Sequence, residues 1–343
     1  MGTLGNGQRK PVLLTTASLC QDDKIKPVDN VLNGDLGVPI MKILLAVDIS
    51  HSNNKDEAQA AAELVDLDAL SYAVPLEGNE ITLLFVKEEL PSYEQVLKVQ
   101  ADFPEDLRHV VERRAGNILT HIADALGNRG ANVKKEIVSG LAAQMVEAVA
   151  GDEKVDLTVV VQRSSTEFLL SGTAEHVARH SPSTTLILRA GTASTKPITS
   201  VVVGVDGSQR SLDAITRSLS MACLDKAITE IELVHVVNVS KVVASVTPFA
   251  FVTAMQENLM MEGEVFLANA KRALSDLGYK KVNMSLKAGN PAAEILSLQQ
   301  EKRSGLIVIG AQGGGAIKHF LMGHICERVI NHAKTSILVA RES

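Results

Sequence analysis

The stretch Val201–Asp206, VVVGVD, is a short apolar run that ends in an acid, and Ile43–Asp48, ILLAVD, has the same pattern. Three further runs recur in the same order, at offsets of about 150 residues. These pairs are Glu80–Val86 with Glu230–Val236, Leu157–Val161 with Leu306–Gly310, and Ser183–Arg189 with Thr335–Arg341. A period this long indicates a duplicated domain, because the repeats of solenoid proteins are shorter.

Helical patterns lie between the apolar runs. Apolar residues recur three or four positions apart within 105–126 and 261–277, and Pro291 is placed to open a third helix. Near-continuous apolar strands that alternate with helices are typical of parallel sheets covered on both faces. We therefore predict an α/β fold of two tandem open parallel sheets, each with about five strands and flanking helices.

The repeat also divides the chain into domains. We predict a first domain over 41–190, a linker of small residues over 191–197, and a second domain over 198–343. Residues 1–40 form an N-terminal extension with no sustained period, either a loosely docked tail or an arm that packs on a partner. The first copy has about eight extra residues after its first strand, and we expect the polar run 51–56 to loop out there.

Composition narrows the class of protein. The net charge is −6, whereas nucleic-acid binders more often have a basic face, so we expect no nucleic-acid partner. Cys20, Cys223 and Cys326 form no metal-binding spacing, and no metal site is assigned. No apolar run has the 18 or more residues of a membrane helix, and no signal peptide is visible. We expect a cytoplasmic protein without a membrane span.

A glycine-dense loop follows the fourth strand of the second copy, within 308–325. Ligands of open parallel sheets bind beyond the carboxyl ends of the strands, and glycines let backbone amides approach a phosphate. The loop lacks the lysine of a P-loop and the position and spacing of a dinucleotide-binding fingerprint. Two interpretations stay open, a phosphate-binding loop and a turn that needs glycine for its backbone geometry alone.

Further motifs accompany this loop in the same order as in a known family. Gly310 and Gly313 are followed after nine residues by Gly323, and the other motifs are Val205–Ser208, Leu233–Val236 and Gly289–Ala292. Together they resemble the ATP-binding universal stress proteins, and the resemblance covers most of 197–343. It implies an adenine-nucleotide alpha hydrolase-like fold. It also implies that the last strands pair, 184–188 against 335–339, as a pseudo-dimer.

The resemblance implies a set of nucleotide-binding residues. Around the base it places Gly204, Val205, Asp206 and Val236. Around the ribose and phosphates it places Gly310, Gln312, Gly313, Gly323, His324 and Ile325. His324 departs from the family's Ser or Thr, and an imidazole there donates to phosphate, blocks the site or faces solvent without a role. Asp206 has an alternative role as a cap of the following turn.

The first copy lacks several of these features. Val161 stands where the second copy has Gly310, Ser164 stands where it has Gly313, and Glu167 adds negative charge to the loop. A branched side chain crowds a phosphate and resists positive φ. Gly172 and Thr173 retain the last pair of the motif. We predict that the first copy binds nucleotide weakly or not at all and serves to pair with the second.

Three functions follow from these observations. The first is a regulatory module whose second domain binds ATP with Mg²⁺, or AMP or ADP. The second is an interaction protein that holds a partner with its tail and its pairing edge, without nucleotide. The third is an enzyme with at most slow ATP hydrolysis, since no catalytic residue can be assigned. A homo-oligomer or a protein partner is expected in each case.

Overall fold

The fold is described here from a computed structural model, which covers residues 40–49, 55–87, 106–163, 170–190, 197–221, 228–238, 249–311 and 323–342. The N-terminal extension, apart from Ile40, and residues 191–196 of the linker lie outside the described residues. So does most of the polar run 51–56 that is expected to loop out.

Ten β-strands alternate with nine described helices, as the apolar runs predict. The strands are β1 Lys42–Val47, β2 Glu80–Lys87, β3 Asn132–Ser139, β4 Leu157–Arg163, β5 Thr184–Ala190, β6 Ser200–Val205, β7 Glu230–Val237, β8 Val282–Ala288, β9 Leu306–Gly310 and β10 Ser336–Ala340. The helices are α1 Glu57–Leu64, α2 Leu67–Ala73, α3 Asp106–Gly127, α4 Ala142–Asp152, α5 Leu170–His180, α6 Gln209–Met221, α7 Phe249–Asp276, α8 Pro291–Lys302 and α9 His324–His332.

All ten strands belong to one sheet, in the order β3-β2-β1-β4-β5-β10-β9-β6-β7-β8. Every neighbouring pair is parallel except β5 with β10, which run antiparallel. The two predicted five-stranded parallel sheets are therefore present, and they join edge to edge. We call strands β1–β5 with their helices the first half and β6–β10 with theirs the second half.

The junction of the halves has pseudo-twofold symmetry. Leu186 of β5 pairs with Leu338 of β10, and the flanking pairs are Ile187 with Ile337 and Thr185 with Val339. Leu186 and Leu338 occupy equivalent positions in the repeat, so the symmetry axis passes through their pair. The predicted pairing of 184–188 with 335–339 is confirmed, and the chain is a covalent pseudo-dimer.

Two half-buried arginines strengthen this junction from equivalent positions. Arg189, near the end of β5, donates through Nη2 to the carbonyl of Ile330 in α9, at 2.9 Å. Arg341, just after β10, donates through Nη2 to the carbonyl of Ala178 in α5, at 2.8 Å. Burial lowers the pKa of both guanidinium groups below the ordinary arginine value. Each half therefore holds the last helix of the other.

The core forms on both faces of the sheet, because residues of fully covered strands point alternately to either side. Helices α1, α2, α3, α6 and α7 contribute to one face, and α4, α5, α8 and α9 contribute to the other. The apolar side chains of β1, β4, β6 and β9 are almost wholly buried. Within the described part of the chain, no helix combines the length and apolar character that a membrane span requires.

After β1 the first half has two short helices where the described part of the second half has the single helix α6, and the sequence pattern does not predict this difference. The two short helices are α1 and α2. Asp56 caps α1 by accepting from the amide of Gln59 at 3.0 Å, and Asp66 caps α2 by accepting from that of Ala69 at 2.9 Å. Aspartate favours such positions because its carboxylate satisfies amides that lack a partner in the first turn.

Candidate functional site

The candidate site lies where three strands of the second half end. Strand β6 has β7 on one side and β9 on the other. The chain continues from β6 to β7 and β8 on one side and then returns to β9 on the other, so the strand order reverses at β6. Val205 pairs with His235 and Gly204 pairs with Ile309, so Asp206, Val236 and Gly310 each follow directly on a paired residue. The carboxyl ends of strands at such a reversal of strand order form a crevice suited to ligands.

The turn after β6 is held by its own polar side chains. The Oδ1 atom of Asp206 accepts hydrogen bonds from the amide of Ser208 at 3.1 Å and from its hydroxyl at 2.8 Å. The hydroxyl of Ser208 accepts from the amide of Ser211 at 3.2 Å and caps α6. Gly207 between them has φ +90°, a conformation that favours glycine. Asp206 therefore caps the following turn, which is the alternative role predicted for it. The residue is also exposed to solvent.

His235 contacts the residue before this turn, and it is not among the residues predicted for the site. Its Nδ1 lies 2.9 Å from the carbonyl oxygen of Val205. A carbonyl only accepts hydrogen bonds, so Nδ1 carries the proton. The ring packs against Phe266, with centroids 5.9 Å apart, and a Cβ at position 207 would lie 3.4 Å from its Cε1. A histidine within a β-strand is too general a signal to reveal this position from sequence.

Gly204 and Val205 belong mainly to the core. A Cβ on Gly204 would lie 2.9 Å from Cδ1 of Ile295 and 3.1 Å from Cγ2 of Ile309. The side chain of Val205 is buried on the opposite face of the sheet. Gly204 therefore lets α8 approach β6 closely, and Val205 faces the site through its backbone alone. Val236 is half-buried at the end of β7.

One backbone hydrogen bond joins Ala311 and Gly323, the residues on either side of the glycine-dense loop. The amide of Gly323 donates to the carbonyl of Ala311 at 3.0 Å, and the amide of Ala311 donates to Ala340 at 2.9 Å. These bonds fix Gly323 beside the end of β9. Gln312 and Gly313, together with the rest of 312–322, lie outside the described residues.

Helix α9 starts at this point, with Gly323 as its N-cap. Gly323 supplies no side-chain hydrogen bond, whereas Asn290 caps α8 by accepting from the amide of Ala293 at 3.2 Å. The first amides of a helix lack intrahelical partners and carry the positive end of its dipole. Among the described residues, no side chain caps these amides, so they are suited to an anion beyond the end of β9.

The residues that open α9 point in different directions. The side chain of His324 is 95% exposed, with Nδ1 3.9 Å from a carboxylate oxygen of Glu327. Ile325 is half-buried and packs on the core, and Cys326 is buried. Burial raises the pKa of the Cys326 thiol to about 12. The imidazole of His324 thus extends into solvent in the described part of the chain.

The equivalent place in the first half differs in two ways. Val161 pairs with Leu188 as Gly310 pairs with Ala340, so the two are structural counterparts. Gly172 is the third residue of α5, whereas Gly323 precedes the first residue of α9. The retained glycine of the first copy therefore lies within the first turn of its helix and not at the N-cap. Ser164 and Glu167 lie outside the described residues.

A cleft of about 590 Å³ lies between the halves, next to the ends of β9 and β10. The first half contributes α4 and the turn between α5 and β5, and the second half contributes the start of α6 and the ends of β9 and β10. Its polar lining includes Glu147, His180, Arg210 and Arg341, and Gly310 and Ala311 also line it. Among the predicted site residues that the structure describes, Gly310 alone lines this cleft.

The fold defines a tandem α/β protein of the adenine-nucleotide alpha hydrolase-like type, and comparison with known proteins identifies its family. The model of the universal stress protein family matches residues 39–189 and again 197–341. The chain therefore belongs to the universal stress protein family, as the resemblance predicts.

Individual relatives agree with this assignment. A universal stress protein of Methanocaldococcus jannaschii is 30% identical over 142 residues, 41% of this chain and 81% of its own. The crystal structure of a universal stress protein from Archaeoglobus fulgidus covers 88% of this chain and 96% of its own, with a TM-score of 0.57 and 18% identity, which shows a shared fold. A universal stress protein in complex with cAMP matches 42% of this chain and 98% of its own, at 23% identity and a TM-score of 0.30.

Proposed function

We propose that the second half binds ATP, with Mg²⁺ on its phosphates, and that the chain is a nucleotide-responsive regulatory protein. The observation that carries the proposal is the position of α9, whose start is fixed beside the end of β9 without a side-chain cap. Helix starts of this kind are suited to phosphate, because their amides point at the anion and the dipole favours negative charge. AMP and ADP share the adenosine group and the same phosphate chemistry.

The residues fit this role in two groups. We assign the base to the ends of β6 and β7, at the backbone of Gly204 and Val205 and at Asp206 and Val236. We assign the ribose and phosphates to the loop and to the start of α9, at Gly310, Gln312, Gly313, Gly323, His324 and Ile325. The imidazole of His324 extends into solvent and so does not block the site, which leaves it free to donate to a bound phosphate.

The first half is proposed as a pairing domain. Its Val161 and its internal Gly172 remove two features of the phosphate-binding loop. The matches of the family model to 39–189 and 197–341 support a division into domains 41–190 and 198–343, joined by the linker 191–197. The alternative, a partner held at the pairing edge, has less support because β5 and β10 already occupy each other's edges.

Binding is proposed without rapid turnover. Phosphoryl transfer requires a positioned base and stabilisation of the developing charge. Asp206 and His324 are the titratable residues assigned to the site, and Oδ1 of Asp206 is already bonded to Ser208. We therefore expect slow hydrolysis at most.

Calorimetric titration of the full chain with ATP and Mg²⁺ tests this proposal. We expect one site per chain, and Gly323→Val is expected to weaken it at least about tenfold, because a branched side chain crowds the phosphates. The backbone of Gly323, at φ −67° and ψ 143°, accepts a side chain without strain.

The matched control is Gly172→Val in the first half, which is expected to leave the affinity unchanged. No heat of binding at millimolar ATP, confirmed by equilibrium dialysis, would contradict the proposal. Two equivalent sites per chain would overturn the role given to the first half.

A further inference from the structure

We propose that Glu147, His176 and His180 form a binding site for a divalent transition-metal ion, for which Zn²⁺ is the best match, at the wall of the cleft between the halves. None of these residues belongs to the proposed nucleotide site. The inference therefore stands or fails independently of ATP binding.

The three side chains come together through the packing of α4 on α5. His176 and His180 are four residues apart on α5 and so lie on one face of the helix, with ring centroids 4.2 Å apart. Glu147 projects from α4, and its Oε2 lies 3.7 Å from Nε2 of His176. One ligand atom from each residue lies within 4.8 Å of the other two.

These separations are close to those of a metal site. Bonds of about 2.0–2.1 Å in tetrahedral geometry place ligand atoms roughly 3.3 Å apart. All three residues are half-buried, so their side chains retain the freedom to rotate about their χ angles. Small rotations therefore close the remaining distance around an ion.

The tautomer of His180 is already suited to metal binding. Its Nδ1 lies 3.0 Å from the carbonyl oxygen of His176, which only accepts hydrogen bonds. The proton therefore resides on Nδ1, and Nε2 presents its lone pair. Metal-ligating histidines commonly donate their other ring nitrogen to a carbonyl in this way, which fixes the ring and its tautomer.

The donors determine the class of ion. Two imidazoles and one carboxylate suit Zn²⁺ and neighbouring first-row metals, whereas Ca²⁺ and Mg²⁺ prefer oxygen ligands alone. Three protein ligands leave at least one coordination position open. Glu147 and His180 also line the cleft, so water or a small ligand can reach the site from that space.

Charge around the site is mixed. Arg341 also lines the cleft, and its guanidinium donates to the carbonyls of Ala178 and Arg179 at the end of α5. Its positive charge opposes a cation, and the carboxylate of Glu147 offsets that charge. The same arginine favours an anionic group, such as a carboxylate or phosphate, in the open position of the metal.

The second half shows that the fold does not require this cluster. In the repeat, Leu296 corresponds to Glu147, Arg328 corresponds to His176, and His332 corresponds to His180. His332 makes the same contact, with Nδ1 2.9 Å from the carbonyl oxygen of Arg328. Leucine and arginine cannot ligate a metal there, so the triad is a feature of the first half.

The test uses the full chain, stripped of metal with a chelator and titrated with Zn²⁺ against a chromophoric competitor. We expect one tight equivalent per chain. Glu147→Gln, His176→Ala and His180→Ala are each expected to weaken binding at least about tenfold, as removal of even an outer-shell partner does. Co²⁺ in place of Zn²⁺ is expected to give the visible absorption of a four- or five-coordinate ion.

His332→Ala is the matched control, because it removes a histidine with the same helix position and carbonyl contact but without the other ligands. It is expected to leave Zn²⁺ affinity unchanged. His176→Arg, which introduces the residue of the second half, serves if an alanine variant fails to show the native circular dichroism spectrum. Absence of a tight equivalent, or unchanged binding in all the triad variants, would overturn the proposal.

Discussion

At the scale of single residues, Gly204 shows how a residue assigned to ligand binding serves packing first. An added Cβ would lie 2.9 Å from Ile295 and 3.1 Å from Ile309, both buried. We expect Gly204→Ala to lower the free energy of unfolding by about 1–3 kcal/mol through overpacking. Gly172→Ala is the control, since nothing lies within 4 Å of its added Cβ and alanine favours a helix by about 0.5–1 kcal/mol. Urea denaturation measures both, and equal stability of the two variants would contradict this account.

Cys326 illustrates how burial controls reactivity at the same scale. Burial raises the pKa of its thiol to about 12, so the thiolate, which is the reactive form, is scarce at pH 8. In a chain carrying Cys20→Ser and Cys223→Ser, we expect a thiol reagent to label Cys326 only after denaturant is added. Rapid labelling of the native chain at pH 8 would show that α9 opens or that the thiol is exposed.

At the scale of elements, Arg189 near the end of β5 and Arg341 just after β10 join the halves through backbone carbonyls of α9 and α5. Hydrogen bonds from charged groups contribute about 1.5–3 kcal/mol each, and a carbonyl left without a partner adds to the loss. We expect Arg189→Ala and Arg341→Ala each to lower the free energy of unfolding by about this amount, because their positions are equivalent.

The control for the arginines is Lys281→Ala, which removes an exposed ion pair with Glu230 at 3.0 Å. Exposed pairs contribute less than about 1 kcal/mol, so its effect is expected to be smaller. Urea denaturation of the three variants compares them directly. An effect of Lys281→Ala as large as that of either arginine would contradict the role given to the junction.

The same scale shows what the sequence could predict. Apolar runs and their repeat predict the strands, because strands such as β1, β4, β6 and β9 are buried on both faces of the sheet. Helices α1 and α2 escape prediction, because they are 8 and 7 residues long and show too few turns for a helical period. Glu147 and the two histidines also escape it, since only the packing of α4 on α5 brings them together.

At the scale of the whole molecule, acidic groups near both outer edges of the sheet depend on lysine partners. Hydrogen bonding to Lys281 lowers the pKa of Glu230. Burial raises the pKa of Glu153, but hydrogen bonds from Lys134 and Thr82 outweigh burial and lower it overall. A carboxyl group with a lowered folded-state pKa stabilises the fold above its unfolded pKa and loses that contribution as pH falls through the folded value.

We therefore expect the urea midpoint to fall as pH is lowered below 4.5, the ordinary pKa of a glutamate side chain. The double variant Glu153→Gln with Glu230→Gln is expected to show a shallower loss over the same range, since both linked groups are removed. An identical pH dependence of the variant and the original chain would show that neither group contributes.

The sequence predicts the pairing of the halves better than it predicts the candidate site. The pairing follows from the apolar last strands and the family resemblance, and the register confirms it. The site depends on contacts between distant segments, such as His235 with Val205 and Gly323 with Ala311. Such contacts leave no local pattern, so the sequence predicts the strand ends but neither the support of the turn nor the closure of the loop.

Hydrogen exchange of backbone amides with and without ATP and Mg²⁺ tests the central claim most directly. The account predicts slower exchange at the amides of 324–326, which open α9, and no change at the start of α5 in the first half. Protection confined to the first half, or binding without any protection at the start of α9, would contradict the proposal that the second half holds the nucleotide.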